Sequence, residues 1–127
     1  MRMYDLTLIL SDRPGALAEA GEALGGAGVN VAGFFGISLN GQGWAHVLVE
    51  NSAAARRALT GIADVAEEHE VLVVEVDDHV GSLGETCRRV AECGINLRFA
   101  YLATGTRLVM ASDDIPALER ALQLVPA

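Results

Sequence analysis

The sequence predicts an α+β fold built from two tandem β-α-β-β-α-β units with antiparallel sheets. Three observations support this prediction. The chain has 127 residues, enough for one ordinary domain or two very small ones. A short motif recurs 66 residues further along the chain, and segments with strand and helix periodicity alternate around each copy. Hydrophobic residues make up 51% of the chain and charged residues 20%, which is typical of a globular protein.

The motif recurs with unchanged spacing. Residues 12–19 (DRPGALAE) match residues 78–85 (DHVGSLGE), and residues 28–31 (GVNV) match residues 94–97 (GINL) at the same offset. One aspartate, two glycines, one leucine, one glutamate and one asparagine are identical in both copies, and the apolar positions between them agree. The predicted domains are residues 1–69 for the first copy and residues 70–127 for the second.

The first copy has the pattern of strand, helix, two strands, helix and strand. In residues 4–10 the leucines alternate with other residues, which is the period of a half-buried strand. A turn at residues 12–15 starts the first helix, and Gly28 is expected to end it. The remaining elements are the strands Val29–Phe35 and Trp44–Glu50 with their hairpin loop Asn40–Gly43, a helix Ala53–Ile62 capped by Ser52, and a fourth strand to which Ala63–Glu70 leads. This order is that of the ferredoxin-like split βαβ unit.

The second copy lacks the length for a complete last strand. Its predicted elements are a strand ending at Glu75–Asp77, a helix Leu83–Cys93, the strands Ile95–Tyr101 and Arg107–Ala111 with a hairpin at Thr104–Thr106, and a helix Ile115–Leu122. Leu124–Ala127 is too short for a full fourth strand, so we expect a strand of the first copy or of a second chain to cover this sheet edge. Val71–Val74 is apolar on both faces, which predicts one buried strand that closes the first copy and opens the second.

The charge of the chain excludes several classes of partner. Nine basic residues against 17 acidic ones give a net charge of −8 and a pI near 4.7. Such a chain is unsuited to the phosphates of nucleic acid and to an anionic membrane surface. No run of 18 apolar residues and no secretion signal is present, so we expect a cytoplasmic protein. Cys87 and Cys93 are expected to be reduced.

Two helices in each copy cover one face of its sheet. In the first copy the opposite face carries, depending on the register of the third strand, Thr7 and Ile9 with either Val47 and Val49 or His46 and Leu48. Large apolar faces usually mark an interface. We therefore expect that the two copies cover one another or that the chain forms a homodimer.

The repeated pattern resembles that of the ACT domain family. A strand ending in Asp-x-Pro-Gly-x-Leu, followed by a helix and Gly-Val/Ile-Asn-Ile/Val, is similar to the family's motif. The matching residues are Asp12, Pro14, Gly15, Leu17 and Gly28–Val31 in the first copy, and Asp78, Gly81, Leu83 and Gly94–Leu97 in the second. The second copy departs from the pattern at Val80, where proline is expected, and in its missing last strand. The resemblance covers the whole chain and implies a regulatory module that binds an amino acid or similar ligand between paired domains.

The loops of the repeated motif suit a zwitterionic ligand. Gly15 and Gly81 allow a ligand to approach the backbone, and the N-terminus of the helix that follows favours a carboxylate. Asp12 and Asp78 offer a negative partner to an ammonium group. The candidate ligand-binding residues are Asp12, Arg13, Pro14, Gly15, Ala16, Leu17, Asn30 and Val31 in the first copy, and Asp78, His79, Val80, Gly81, Ser82, Leu83, Asn96 and Leu97 in the second.

Structural roles are the alternative for several of these residues. Asn30 and Asn96 carry both donor and acceptor atoms, and the resemblance implies that each faces the loop of the other copy or of another chain. They follow a helix-ending glycine, however, where asparagine also satisfies local backbone groups. The two motif aspartates alternatively cap helices, and Leu17 and Leu83 are expected in the core.

Neither a catalytic site nor a metal or cofactor site is predicted. The three histidines lack metal-ligand spacing, and neither cysteine has a histidine near it in the sequence. We therefore predict a small regulatory protein that is not an enzyme, binds an amino acid and has a metabolic enzyme as a candidate partner. One alternative is a docking module or regulatory subunit of an amino-acid biosynthetic enzyme that binds no ligand. Another is a small acyl-phosphate hydrolase, for which Arg13 is the only arginine in either candidate anion loop.

Overall fold

The computed structural model describes residues 1–124 of the chain. In this range the elements are β1 (Arg2–Ser11), α1 (Ala16–Gly26), β2 (Gly33–Leu39), β3 (Gln42–Val49), α2 (Ser52–Leu59), β4 (Asp64–Glu75), α3 (Ser82–Glu92), β5 (Phe99–Leu102), β6 (Arg107–Ala111) and α4 (Ile115–Ala121). The pairs β1–β3, β2–β3, β4–β6 and β5–β6 are antiparallel, so the prediction of an α+β fold with antiparallel strands is confirmed. No helix in this range is both long and apolar enough to span a membrane.

The backbone divides into two compact units. The first unit comprises Met3–His69, and the second comprises Met1–Arg2 with the chain from Glu70 onward. The strand order is β2-β3-β1-β4 in the first unit and β4-β6-β5 in the second. β4 runs without interruption through the boundary, and each unit buries an apolar cluster of its own.

The core of the first unit lies between its strands and the helices α1 and α2. Leu6 and Leu8 on β1 are fully buried against Leu24 of α1 and Leu59 of α2. The leucines that alternate in the sequence therefore face the helices, as the strand period predicts.

The register of β1 and β3 decides which residues of β3 join this core. Thr7 lies opposite His46, and Val47 and Val49 belong to the core cluster. Because side chains alternate along a strand, His46 and Leu48 lie on the other face of the sheet. Of the two registers that the sequence left open, the structure therefore has the one that places His46 and Leu48 on the face of Thr7 and Ile9.

The turn between β2 and β3 is tighter than the predicted loop Asn40–Gly43. Asn40 has a φ of 52° and Gly41 a φ of 76°, which fits a two-residue type I′ turn whose twist matches that of the strands. Both strands continue up to this turn, so β2 occupies Gly33–Leu39. The predicted strand Val29–Phe35 was therefore placed too early.

Two of the helices end at a glycine, as predicted. Gly28 has a φ of 73°, and the N–H of Val29 donates to the carbonyl of Leu24 at 2.9 Å, which is the hydrogen bond of a Schellman motif. Gly94 ends α3 with the same φ of 73°. The chain enters β5 only later, so the predicted strand Ile95–Tyr101 was also placed too early.

Asn51, and not Ser52, caps α2. Its side-chain oxygen accepts a hydrogen bond from the N–H of Ala54 at 3.0 Å, and Ser52 is already the first helical residue. The helix ends at Leu59 and not at Ile62. Both asparagine and serine are good caps, and Asn51 directly precedes Ser52 in the sequence, so the predicted cap was one residue too late.

The second unit has an apolar core of its own. β6 occupies Arg107–Ala111, as predicted, and its Leu108 and Met110 pack with Leu72 of β4 and Leu118 of α4. The core therefore forms between the strands and the helices α3 and α4.

The start of β1 covers the edge of β4 in the second unit. The backbone nitrogen of Met1 donates to the carbonyl of Val73 at 3.0 Å, and the N–H of Val73 donates to the carbonyl of Met1 at 2.8 Å. Arg2 forms ion pairs with Glu70 at 3.0 Å and with Glu119 at 2.5 Å, and its hydrogen bond lowers the pKa of Glu119. The start of the chain thus pairs with this edge at Val73, and the expectation that a whole strand of the first copy covers the edge stays a prediction. Leu124 lies outside any strand, and residues 125–127 lie outside the described range.

Candidate functional site

A cleft of about 340 Å³ lies beside the loop between β1 and α1, and we call it the first cleft. The loop, the first turn of α1 and one side of the β2–β3 hairpin form its walls. The lining residues used below are Asp12, Arg13, Leu17, Phe34, Gly36, Ile37 and Ser38. Of the residues that the sequence predicted for the first copy, Asp12, Arg13, Ala16 and Leu17 lie together here.

The charged side chains of the first cleft are held by neighbours. The carboxylate of Asp12 accepts a hydrogen bond from the hydroxyl of Ser38 at 2.8 Å. The guanidinium of Arg13 bonds to Glu19 at 2.6 Å, and this hydrogen bond raises the pKa of Arg13 and lowers that of Glu19. Glu19 therefore offsets much of the charge of Arg13, while the Asp12 carboxylate remains an acceptor at the cleft wall.

The helix that starts at the first cleft has no side-chain cap. Gly15 stands at the N-cap position of α1 with a φ of 89°, and Gly81 stands at that of α3 with a φ of 92°. Glycine has no side chain to accept the amides of the first turn, so neither Asp12 nor Asp78 caps its helix. The capping role that the sequence allowed for both aspartates is therefore wrong, and the start of each helix retains its positive end.

Replacing Gly15 with alanine is expected to lower the free energy of unfolding by about 1–2 kcal/mol, because its positive φ brings a Cβ too close to the backbone. Gly25→Ala is the matched control in the same helix. An added Cβ there meets nothing within 4 Å, and alanine should raise stability by about 0.5–1 kcal/mol. Urea unfolding measures both values, and equal stability of Gly15→Ala and the wild type would contradict this account.

The two motif leucines are exposed, contrary to the prediction that they lie in the core. Leu17 is 44% exposed and Leu83 is 54% exposed. Both lie in the first turn of a helix, at the rim of the sheet, whereas Ala20 and Leu24 further along α1 are buried. Leu17 lines the first cleft, and Leu83 lines a cleft of the second unit.

The remaining predicted residues of the first copy lie outside the lining of this cleft. Pro14 and Asn30 are exposed, and Val31 lines an apolar groove beside α1 that shares Leu17 and Phe34 with the first cleft. The idea that Asn30 faces the loop of another copy stays a prediction.

The second unit has a smaller and more acidic cleft of about 250 Å³, the second cleft, which Asp77, Asp78 and His79 line together with Ser82 and Leu83. Nδ1 of His79 lies 3.0 Å from the carbonyl of Val80, and this backbone hydrogen bond raises the pKa of the ring. Val80 itself is fully exposed. Asn96 is exposed, and Leu97 packs against the core of its unit.

Sequence reasoning missed the β2 wall of the first cleft. Phe34, Gly36, Ile37 and Ser38 were assigned partly to a strand placed too early and partly to the segment behind it. The Asn40-Gly41 dipeptide was the available signal, because a two-residue turn there places all four residues on β2. Within residues 1–124, no group of three His, Cys, Asp or Glu side chains lies close enough to hold a metal ion.

Comparison with solved structures identifies the fold. A protein from Bacteroides thetaiotaomicron superposes with a TM-score of 0.84 at 17% identity, over 98% of this chain and 88% of that chain. The ligand-free regulatory subunit of aspartate kinase from Thermus thermophilus gives a TM-score of 0.67 at 19% identity, over 96% of this chain and 91% of that chain. Aspartokinase III of E. coli, solved with aspartate and ADP, gives 0.60 at 13% identity, over 94% of this chain but 30% of that chain.

These likenesses show that the chain has the fold of aspartate kinase regulatory domains. No protein-family model matches the chain. No curated protein matches it in sequence. The fold agrees with the ACT resemblance of the repeated motif, and membership of that family stays a prediction.

Proposed function

We propose that this chain is a regulatory protein that binds an amino acid, or a similar small zwitterion, in the first cleft. One observation carries the proposal. The cleft combines the Asp12 carboxylate with the uncapped N-terminus of α1, so that a negative and a positive partner lie on the same loop.

These two partners match the charges of a free amino acid. An α-ammonium group can donate to the Asp12 carboxylate, which a single hydroxyl of Ser38 leaves with further acceptor capacity. An α-carboxylate is favoured at a helix N-terminus by the amides and by the helix dipole. At about 340 Å³ the cleft is within the usual size range of small-ligand sites.

The regulatory role rests on the fold and on the repeat. The two neighbours from aspartate kinase are a regulatory subunit and a whole kinase that contains a similar region. We infer that the two compact units are two copies of one ferredoxin-like module, that the chain is cytoplasmic and forms a homodimer, and that a metabolic enzyme is its partner. On this proposal the chain performs no catalysis.

A docking module without a ligand is the second candidate, because β2 is an unusual edge strand. It ends the sheet of the first unit and carries no charged side chain. Phe34, Phe35, Ile37 and Leu39 are each about half exposed on it. An apolar edge of this kind is a common pairing surface for another chain.

Thermal unfolding with each of the twenty amino acids tests the proposal. A ligand at one hundred times its dissociation constant adds about 2.7 kcal/mol of stability, which raises Tm by several degrees. Asp12→Asn should abolish this rise, whereas the matched variant Asp78→Asn in the second cleft should retain it. A rise lost only in Asp78→Asn would move the site to the second cleft, and no rise with any amino acid would favour the docking module.

A further inference from the structure

One wall of the first cleft consists of large apolar side chains that solvent reaches. Phe34 is 52% exposed and Leu17 is 44% exposed, and both line the same cleft as Asp12. Removing this apolar surface from water is favourable, so a ligand that covers it binds more tightly. The wall therefore favours a ligand that brings apolar surface of its own.

An apolar groove continues from this wall. It has a volume of about 210 Å³ and shares Leu17 and Phe34 with the first cleft. The groove is lined by apolar side chains and one glycine, namely Leu17, Ala20, Gly21, Leu24, Val31, Phe34 and Val47. A ligand held at Asp12 can thus extend an apolar side chain past Leu17 into the groove.

We propose that the first cleft selects amino acids with a large apolar side chain, of the leucine, isoleucine or phenylalanine class. This inference rests on the proposed function, since it assigns the side-chain class of the same ligand. The ammonium group lies at Asp12, the carboxylate at the start of α1, and the side chain between Leu17 and Phe34.

The charges of the cleft disfavour a ligand with a charged side chain. Asp12 and Arg13 are the charged residues that line it, and each is bonded to a neighbour, Ser38 and Glu19 respectively. A charged side chain in the apolar groove would lose its hydration without gaining a partner there, which is costly. Selectivity against lysine and aspartate follows.

The apolar part of the second cleft is formed by different residues, Val76, Leu83 and Leu102, and the inference concerns the first cleft alone. At the repeat offset of 66 residues, Ala100 corresponds to Phe34 and Leu102 corresponds to Gly36. Leu102 is 60% exposed and lines the second cleft, whereas Gly36 leaves the floor of the first cleft open. A Cβ on Gly36 would lie 3.5 Å from the Phe34 ring, which is ordinary contact, so a larger side chain fits the backbone and fills the cleft.

Calorimetric titration of the full chain with L-leucine, L-phenylalanine, L-lysine and L-threonine tests the proposal. L-leucine or L-phenylalanine should bind at least tenfold more tightly than the other two. Leu17→Asn and Gly36→Leu should each weaken this binding at least tenfold. Leu83→Asn, the exposed counterpart in the second unit, should leave it unchanged, and the Tm of each variant verifies folding.

The outcomes separate this proposal from the proposed function. Tighter binding of L-lysine or L-threonine would overturn the side-chain class while leaving an amino-acid site in place. If none of the four gives heat of binding but another polar amino acid does, the side-chain class is overturned and the amino-acid site remains. If none of the twenty amino acids gives heat of binding, the proposed function itself is overturned. Analytical ultracentrifugation of the variants tests whether a second copy of the chain occupies the groove. A dimer that dissociates in Leu17→Asn would show that a second copy, and not a ligand, lies there.

Discussion

Replacing His46 with glutamine is expected to lower the free energy of unfolding by about 2 kcal/mol at pH 6, by removing the charged partner of a buried carboxylate. The carboxylate of Asp5 is completely buried in β1, and Nδ1 of His46 lies 2.8 Å from it. The hydroxyl of Thr7 lies 3.5 Å from the same ring nitrogen. The pair thus places a charged hydrogen bond inside the first unit, where its loss is costly.

The same pair makes stability depend on pH with a definite sign. The hydrogen bond to Asp5 raises the pKa of His46, the charges of Asp5 and Glu67 add to this effect, and partial burial opposes it. A raised pKa means that the folded state binds the proton more tightly than the unfolded state does. The resulting stabilisation is complete below the unfolded pKa of about 6.5 and is lost as the pH rises through the folded pKa.

Urea unfolding at pH 6 and pH 9 measures this effect. The wild type should lose stability between the two values through His46, and His46→Gln should lose less. Asp5→Asn keeps the shape of the side chain and removes its charge, so it should reduce the pH dependence in the same direction. An unchanged difference between pH 6 and pH 9 in His46→Gln would show that other groups cause it.

The elements that the sequence predicted well are those whose signals are local. β6 was placed at its observed ends, and Gly28 and Gly94 ended their helices as expected, because a helix-ending glycine depends only on its own backbone. β2 was misplaced because a short apolar segment does not determine where a strand starts. The hairpin turn at Asn40 and Gly41 determined it.

The sequence also predicted one part of the candidate site and missed another. The β1–α1 loops followed from the repeat, since a motif that recurs with fixed spacing is visible in one sequence. The apolar wall of β2 did not, because its contact with the loop depends on strand register, which side-chain periodicity leaves open. The exposure of Leu17 was missed for a related reason: a helical stripe shows which face is apolar, but not how far along the helix the sheet covers that face.

Truncation of two leucines on this stripe is expected to change stability by very different amounts. Leu24→Ala should lower the free energy of unfolding by about 3 kcal/mol, because Leu24 is 1% exposed and its removal leaves a cavity in the core of the first unit. Leu17→Ala should change stability by no more than about 0.5–1 kcal/mol, because nearly half of that side chain already lies in solvent. Urea unfolding of both variants measures the difference.

The comparison also separates a structural leucine from a binding one. If the exposed leucine serves the ligand, Leu17→Ala should weaken binding of L-leucine or L-phenylalanine in a protein that is as stable as the wild type. Leu83→Ala is the control, since it removes a leucine that is also about half exposed, at the position 66 residues further along the chain. If Leu17→Ala lowered the free energy of unfolding by about 3 kcal/mol, Leu17 would be a core residue and not a binding residue. Near-neutral stability together with lost binding is the combination that only a side chain on the wall of a ligand site produces.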